Sequence, residues 1–272
     1  MKKQGALEVY LLILGWEHLP KSWSIYGTDP NIKLIEPVPA VLVKLHGGWV
    51  LLDTGFNPSL IKDSALYKRF HGRFKGIEAI LPPGESDPLL VELEKHNLKV
   101  DDIGIVALSH LHNDHVGGLR HFVNHSTIYI QKEELDYGFS SHPIPENNGI
   151  FRIDFDDPLY NWQLLQGETE IAPGITAIPT PGHTPGHQSF EISFDDSVGG
   201  GGMIFAFDAA DLTENVVHEL PIGGTINCDP QDTIEQIKLL KIRSKEKGYS
   251  LIPGHDPIIL PQIQVDLLRK FK

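Results

Sequence analysis

The stretch SHLHNDHVGG, residues 109–118, places three histidines and an aspartate within six positions: His110, His112, Asp114 and His115. Imidazole and carboxylate are the ligands zinc and its neighbours take when no thiolate is offered. In extended backbone, side chains two residues apart point the same way, so His110 and His112 can converge on one cation. Asp114 and His115 then turn with the chain and would face a second position beside the first. That is more than one tetrahedral ion takes from a single segment.

Further donors recur in matching contexts. PTPGHTPGH sets His183 after a strand and a Pro-Gly turn, and IPGHDP repeats the arrangement at His255. MIFAFDAAD ends an apolar run in Asp208. Two divalent cations about 3.5–4 Å apart can lower the pKa of a shared water and polarise a carbonyl. No Gly-x-Ser-x-Gly elbow supplies an alternative nucleophile. The single cysteine, Cys228 in TINCDP, reads as an inert buried thiol and excludes both a disulfide framework and a Cys-based zinc site.

These residues must be held by strands. Short apolar, β-branched runs fill the first half (LEVYLLILGW, VPAVLVKLHG, WVLLDTG, IGIVALSH, STIYIQ) and the second (ITAIPTPG, HQSFEISF, MIFAFDAA, YSLIPGH). Leu7–Trp16 reads as the first strand, HGGWV at 46–50 as a tight hairpin and DDSVGGGGM at 195–203 as a longer one. Ile103–Ser109 reads as a buried strand and Val116–His121 as the start of a helix, so the histidine cluster falls at their junction, with Gly117 and Gly118 allowing close packing behind it. Apolar spacing predicts helices over 87–97, over 231–248 with a stripe of Ile234, Ile237 and Leu240, and over Pro261–Phe271. Residues 17–37 and 64–83 show no periodicity and read as loops facing the substrate. Two sheets covered by helices suit this pattern, and 272 residues fit one large domain, 1–272.

The balance of 23 Lys plus Arg against 36 Asp plus Glu gives a net charge of −13, which argues against a nucleic-acid surface. No run is long enough to span a bilayer as a helix. Glu8 interrupts the first apolar run and no small-residue cleavage site follows, so a secretory signal is not expected and the cytoplasm is the expected compartment.

The series His110, His112, Asp114, His115, His183, Asp208, His255 resembles the metallo-β-lactamase superfamily, and LLDTG with Asp53 resembles its first motif. The likeness runs from about residue 7 to 260. It implies an α/β fold, an αββα sandwich of two mixed β-sheets flanked by helices, with the metals at one edge. It implies that His110, His112 and His183 hold one divalent ion, that Asp114, His115 and His255 hold the other, and that Asp208 bridges them. Asp53 would support the site from behind. Zinc is the expected metal, with cobalt, manganese and iron suited to the same ligands.

Within the superfamily, NWQLLQGETEIAPGITAIPTPGHTPGHQSFEI is similar to N-acyl-homoserine lactonases. This implies hydrolysis of a small-molecule lactone, with Asp208 and Asp114 in the catalytic machinery. Asp114 either serves as a ligand alone or also passes a proton to the departing alkoxide. The chain departs from the lactonases at Asp211, where they carry a tyrosine that bonds the substrate. Asp211 either donates a proton in its place or is a solvated or capping residue. Trp16, Trp23, Tyr26, Phe70 and Phe74 are candidates to line an acyl groove. A thioester hydrolase of the glyoxalase type, or a hydrolase of another lactone, would use the same metals. A β-lactamase proper is disfavoured by His115 and the missing signal, a nucleic-acid hydrolase by charge. A flavodiiron module is disfavoured by His112 and the lack of a flavin domain. The sequence does not fix an oligomeric state, a homodimer included.

Overall fold

The computed structural model describes residues 4–84, 86–141 and 145–271. Twelve strands form two sheets among the described residues. The first contains β1 (Glu8–Pro20), β2 (Lys33–Leu45), β3 (Gly48–Leu52), β4 (Glu78–Ile80), β5 (Ile103–Ala107), β6 (Thr127–Gln131) and β7 (Asn161–Leu165), in the order β4-β1-β2-β3-β5-β6-β7. The second contains β8 (Thr169–Ala172), β9 (Ile175–Pro179), β10 (Gln188–Ser193), β11 (Gly202–Phe205) and β12 (Ser250–Ile252), in the order β12-β11-β10-β9-β8. Both are mixed: β3, β5, β6 and β7 run parallel, as do β11 and β12, and the other pairs are antiparallel.

Alternation along the strands builds the layers. Val9, Leu11, Val41, Val43, Val50 and Leu52 point between the sheets and meet Ile175, Ala177, Phe190, Ile192 and Phe205 of the second sheet. Their neighbours Tyr10, Leu12, Leu14, Leu42 and Leu51 point outward, where Leu89 and Leu93 of the helix Pro88–Lys95 cover them. On the far side Ile178 and Ile204 pack under Ile237 and Leu240 of the helix Thr233–Lys247. The result is the αββα sandwich. The helix Thr233–Lys247 ends at Gly248 with φ +66°, and a helix covers Ile259–Lys270, both as the periodicity predicts. The hairpins at 46–50 and 195–203 are present, the first closing with Leu45 opposite Gly48.

The loop expectation for residues 17–37 and 64–83 is corrected. β1 continues to Pro20 and β2 begins at Lys33, while Asp63 caps a helix over Ser64–Phe70 and β4 lies at Glu78–Ile80. Pro37 and Pro39 both lie within the second strand, of which the sequence reads only residues 33–37 as loop. They sit beside a register shift at Ile13/Gly15, beyond the last residue that β3 pairs, so their missing N–H groups break no ladder on that side. The overhanging ends of β1 and β2 lean over the site instead. At the histidine cluster the strand stops at Ala107, and the helical turn begins at Asn113 rather than Val116.

Candidate metal centre

The chain leaves β5 extended through His110 to His112 (φ −64°, ψ 151°) and then coils over Asn113–Val116. His110 and His112 therefore project to one side, while Asp114 and His115 swing to the next position. Gly117 and Gly118 permit this turn: a Cβ on Gly117 would lie 2.0 Å from the Asn57 nitrogen, and one on Gly118 2.5 Å from the Thr54 carbonyl oxygen. His183 arrives on the loop after β9, where Gly182 adopts φ +141°, a value open to glycine. Asp208 sits in the 3-10 turn Phe207–Ala209 after β11. The His255 loop is tied to that turn by Gly254 N–H to the Ala210 carbonyl and His255 N–H to the Asp211 carbonyl, both 2.8 Å.

Donor atoms gather in two adjoining groups. His110, His112, His183 and Asp208 offer one atom each within 4.8 Å of one another, as do Asp114, His115 and His255. Asp208 faces both: its Oδ2 lies 3.3 Å from His183 Nε2 and 3.8 Å from His110 Nε2, while its Oδ1 lies 3.2 Å from His115 Nε2 and 3.1 Å from His255 Nε2. Asp114 Oδ2 lies 3.0 Å from His115 Nε2 and 4.0 Å from His255 Nε2.

The outward nitrogens show which atoms are left for a cation. Asp53, buried after β3 with φ +59°, accepts the His115 Nδ1–H at 2.8 Å. It also accepts the backbone N–H and the hydroxyl of Ser109, both at 2.6 Å. With its proton on Asp53, the Ser109 oxygen accepts the His110 Nδ1–H at 2.9 Å. His255 donates Nδ1–H to the Pro37 carbonyl at 3.0 Å. The Nε2 lone pairs of all three rings thus face the centre. His112 Nδ1 lies 3.0 Å from His110 Nε2 and 2.7 Å from His183 Nε2. Converging lone pairs at such distances repel unless a cation lies among them, and the donor set fits divalent ions of the zinc class.

Without a cation the charge states differ between the two groups. Burial, reinforced by neighbouring imidazoles, holds His110 well below the ordinary histidine range, and it holds His112 down at about 3, so both are neutral ligands. Burial opposes charge on Asp208, Asp114, His115 and His255, but these carboxylates and imidazoles outweigh it for one another. The carboxylates stay ionised and the two rings are held well above the ordinary histidine range, so a cation entering here would displace their Nε2 protons.

A cavity of about 100 Å³ opens over the two groups. Leu19, Trp23, Phe74, Ile77 and Ala79 form an apolar wall, and Glu17, Glu36, His71 and Asp211 join it from the polar side. Of the aromatic candidates, Trp23 and Phe74 reach the cavity. Tyr26 is exposed outside it, Trp16 belongs to another surface pocket, and Phe70 is buried against Phe151 with ring centroids 5.0 Å apart. Asp211 is neither solvated nor a cap: it is 7% exposed, and Asn215 and Asp256 make the local capping bonds. Cys228 is half-buried rather than buried, and burial pushes its thiol up, away from the reactive form.

Sequence reasoning did not find Ser109, His71, Glu17, Glu36 or Glu134. Glu134 is wholly buried and accepts Leu111 N–H on one oxygen and Gly186 N–H on the other, each at 3.0 Å, joining the two loops that carry His110, His112 and His183. Only Ser109 had a signal, its place directly before the histidine series.

The sequence profile of the metallo-beta-lactamase superfamily matches residues 35–255. The chain belongs to the metallo-beta-lactamase superfamily. Its relatives within that superfamily include an N-acyl homoserine lactonase of Bacillus thuringiensis, 30% identical over 227 residues that cover 84% of each chain. The N-acyl homoserine lactonase AttM of Azorhizobium caulinodans is 28% identical over 246 residues, 88% of this chain and 87% of its own. Among solved structures, an N-acyl homoserine lactone hydrolase with N-hexanoyl-L-homoserine bound at its catalytic metal centre superposes with a TM-score of 0.81 at 28% identity, covering 95% of this chain and 96% of that one. AidC, a dizinc quorum-quenching lactonase, shares the fold with a TM-score of 0.68 at 19% identity, over 94% of this chain and 90% of its own.

Proposed function

We propose that this superfamily member is a dinuclear metal hydrolase that opens the ring of N-acyl-homoserine lactones, and so quenches quorum signals. The observation that carries this reading is the placement of Asp208, one oxygen toward each group of histidines. In this reading His110, His112 and His183 hold one ion and Asp114, His115 and His255 the other. Zinc is the expected occupant and the cytoplasm the expected location. Two divalent cations bound there supply a nucleophilic water of lowered pKa and polarise the ester carbonyl.

The chain's own residues do the remaining work. Asp208 spans both groups and sets the spacing between them. Asp53 fixes His115 directly and His110 through Ser109, so neither ring can turn or change tautomer without breaking buried hydrogen bonds. Asp114 faces the cavity and is placed to carry a proton toward the departing alkoxide. Leu19, Trp23, Phe74, Ile77 and Ala79 offer the apolar surface an acyl chain requires. A thioester hydrolase of the glyoxalase type would share the metals.

The test is a screen of metal-loaded protein against N-hexanoyl-homoserine lactone, γ-butyrolactone, a glutathione thioester and a β-lactam, following proton release. Lactone opening at least tenfold faster in kcat/KM than thioester cleavage is expected. The reverse order would reassign the substrate class.

A further inference from the structure

One wall of the cavity passes from a polar group to carbon along a single stretch of chain. His71 caps the helix Ser64–Phe70, the Phe74 N–H bonds back to the His71 carbonyl at 3.0 Å, and the Ile77 N–H bonds to the Phe74 carbonyl at 3.3 Å. These turns bring His71, Phe74 and Ile77 onto the cavity in succession, with Ala79 of β4 beyond them. The His71 ring is 7% exposed and boxed by aromatic rings. It stacks on Tyr67 with centroids 5.7 Å apart and meets Phe56 and Phe151 edge-on at 6.2 and 5.5 Å. Neither ring nitrogen has a hydrogen-bond partner among the described residues.

A ring held this firmly with its polar atoms unpaired is costly unless a ligand completes it. Burial pushes the imidazole down to about 4, against the pull of Asp114, so at pH 7 it is neutral and offers one N–H and one lone pair. His71 joins none of the donor groups gathered within 4.8 Å, so it stands apart from the metal positions. The other neutral N–H side chains on the cavity are engaged or turned aside. Asn113 gives an amide N–H to the Gly149 carbonyl at 3.1 Å, and Asn148 gives one to the Tyr137 hydroxyl at 2.8 Å. Trp23 sets the Cε3 edge of its indole, opposite the N–H, against Gly224.

We propose that His71 is a substrate-binding residue that donates its ring N–H to the acyl carbonyl oxygen of an N-acyl-homoserine lactone, and so reads the amide that simpler lactones lack. This inference rests on the lactonase reading above and deepens it, by naming the feature of the substrate that the site selects. The amide is the polar group between the lactone ring, which the metal centre takes in that reading, and the alkyl chain, which the apolar wall takes. Left unpaired inside the cavity it would lose the hydrogen bonds it makes in water. His71 stands where the two regions meet. The charge of Asp114, a candidate metal ligand, reaches it, and Phe74 and Ile77 follow it along the wall. Neither partner needs a charge, in keeping with a neutral substrate.

The test pairs N-hexanoyl-homoserine lactone with α-heptyl-γ-butyrolactone, which carries a chain of equal length and no amide. His71→Phe keeps the aromatic box and loses both nitrogens. Its kcat/KM for the first compound should fall about three- to tenfold, mostly through KM, while that for the second stays within about twofold. His71→Gln, which restores an N–H, should recover part of the loss. Dividing one substrate by the other cancels their intrinsic reactivities and any general damage to the metal centre. The ring-opened forms of both compounds need no turnover, and calorimetry on the two-metal protein should show the same fall in their binding ratio. A kinetic and binding ratio within about twofold of the parent in His71→Phe, or in His71→Leu should that fold better, overturns the proposal. The parent supplies a further readout: with labelled histidine, the amide form and not the alkyl form should move one ring-nitrogen signal beyond those of the metal ligands. No such movement overturns the proposal even should both variants fail to fold. Failure to open either lactone, with the binding ratio still falling in His71→Phe, would overturn the lactonase reading and leave the amide subsite in place.

Discussion

Asp53→Asn should weaken both metal positions, although Asp53 touches neither. The substitution preserves shape, and asparagine tolerates the φ of +59° that Asp53 adopts, so the backbone has no reason to move. The carboxylate accepts three hydrogen bonds: the Ser109 N–H on Oδ1, and the Ser109 hydroxyl and His115 Nδ1–H on Oδ2. An amide offers one acceptor and one donor. If its nitrogen replaces Oδ1, it meets the Ser109 N–H donor to donor. If it replaces Oδ2, His115 must move its proton to Nε2, where the metal binds. Reorienting the Ser109 hydroxyl to accept from the amide turns its proton toward His110 Nδ1, 2.9 Å away, and transfers the fault to the other group. Partners of this kind contribute about 10–100-fold to metal affinity, or about 1.4–2.7 kcal/mol. Zinc competition with a chromophoric chelator measures both steps, with circular dichroism to confirm folding. Two affinities within twofold of the parent would refute the claim that one carboxylate sets both rings.

Glu134→Gln keeps one acceptor for the Leu111 and Gly186 amides but turns a donor on the other; a loss of about 1–3 kcal/mol in stability is expected by urea unfolding. Gly117→Ala places a methyl 2.0 Å from the Asn57 nitrogen, so a loss of about 1–3 kcal/mol or more and lowered metal occupancy should appear together. Asp154, buried and accepting from Asn57 at 2.7 Å, is pushed by burial from 3.8 to about 7. Between those values the folded chain keeps a proton that the unfolded chain has released, so stability falls as pH rises from about 4 to about 7. Asp154→Asn should remove this slope, raising stability by up to roughly 4 kcal/mol above pH 7 and changing it little below pH 4. Melting curves across pH decide it, and an unchanged slope would refute the assignment.

The candidate metal centre was legible because its information is local. Two histidines at i and i+2 in extended chain, and two Pro-Gly-His turns after strands, announce their directions without knowledge of the fold. Asp53 was legible only by resemblance, since its contact with Ser109 and His115 joins β3 to the turn after β5. Glu17 and Glu36 were not legible at all. Their meeting depends on the register of β1 with β2 across a shift at Ile13/Gly15, and one residue of slip would send the side chains to opposite faces. Phe70 and Phe74 could not be told apart because the helix Ser64–Phe70 has too few turns for its phase to be read; the structure buries the first and brings the second to the cavity. Residues 17–37 do line the cavity, but they read as loop from the sequence because they show no regular periodicity; the strand ends within them extend past the last residue that β3 pairs.

Titrating metal-free protein with zinc while following proton release from N-hexanoyl-homoserine lactone tests the dinuclear hydrolase most directly. Activity should climb to a plateau at two equivalents per chain, and Asp208→Ala should abolish the second increment while the chain stays folded. A plateau at one equivalent, or near-parental turnover in Asp208→Ala, would contradict the account.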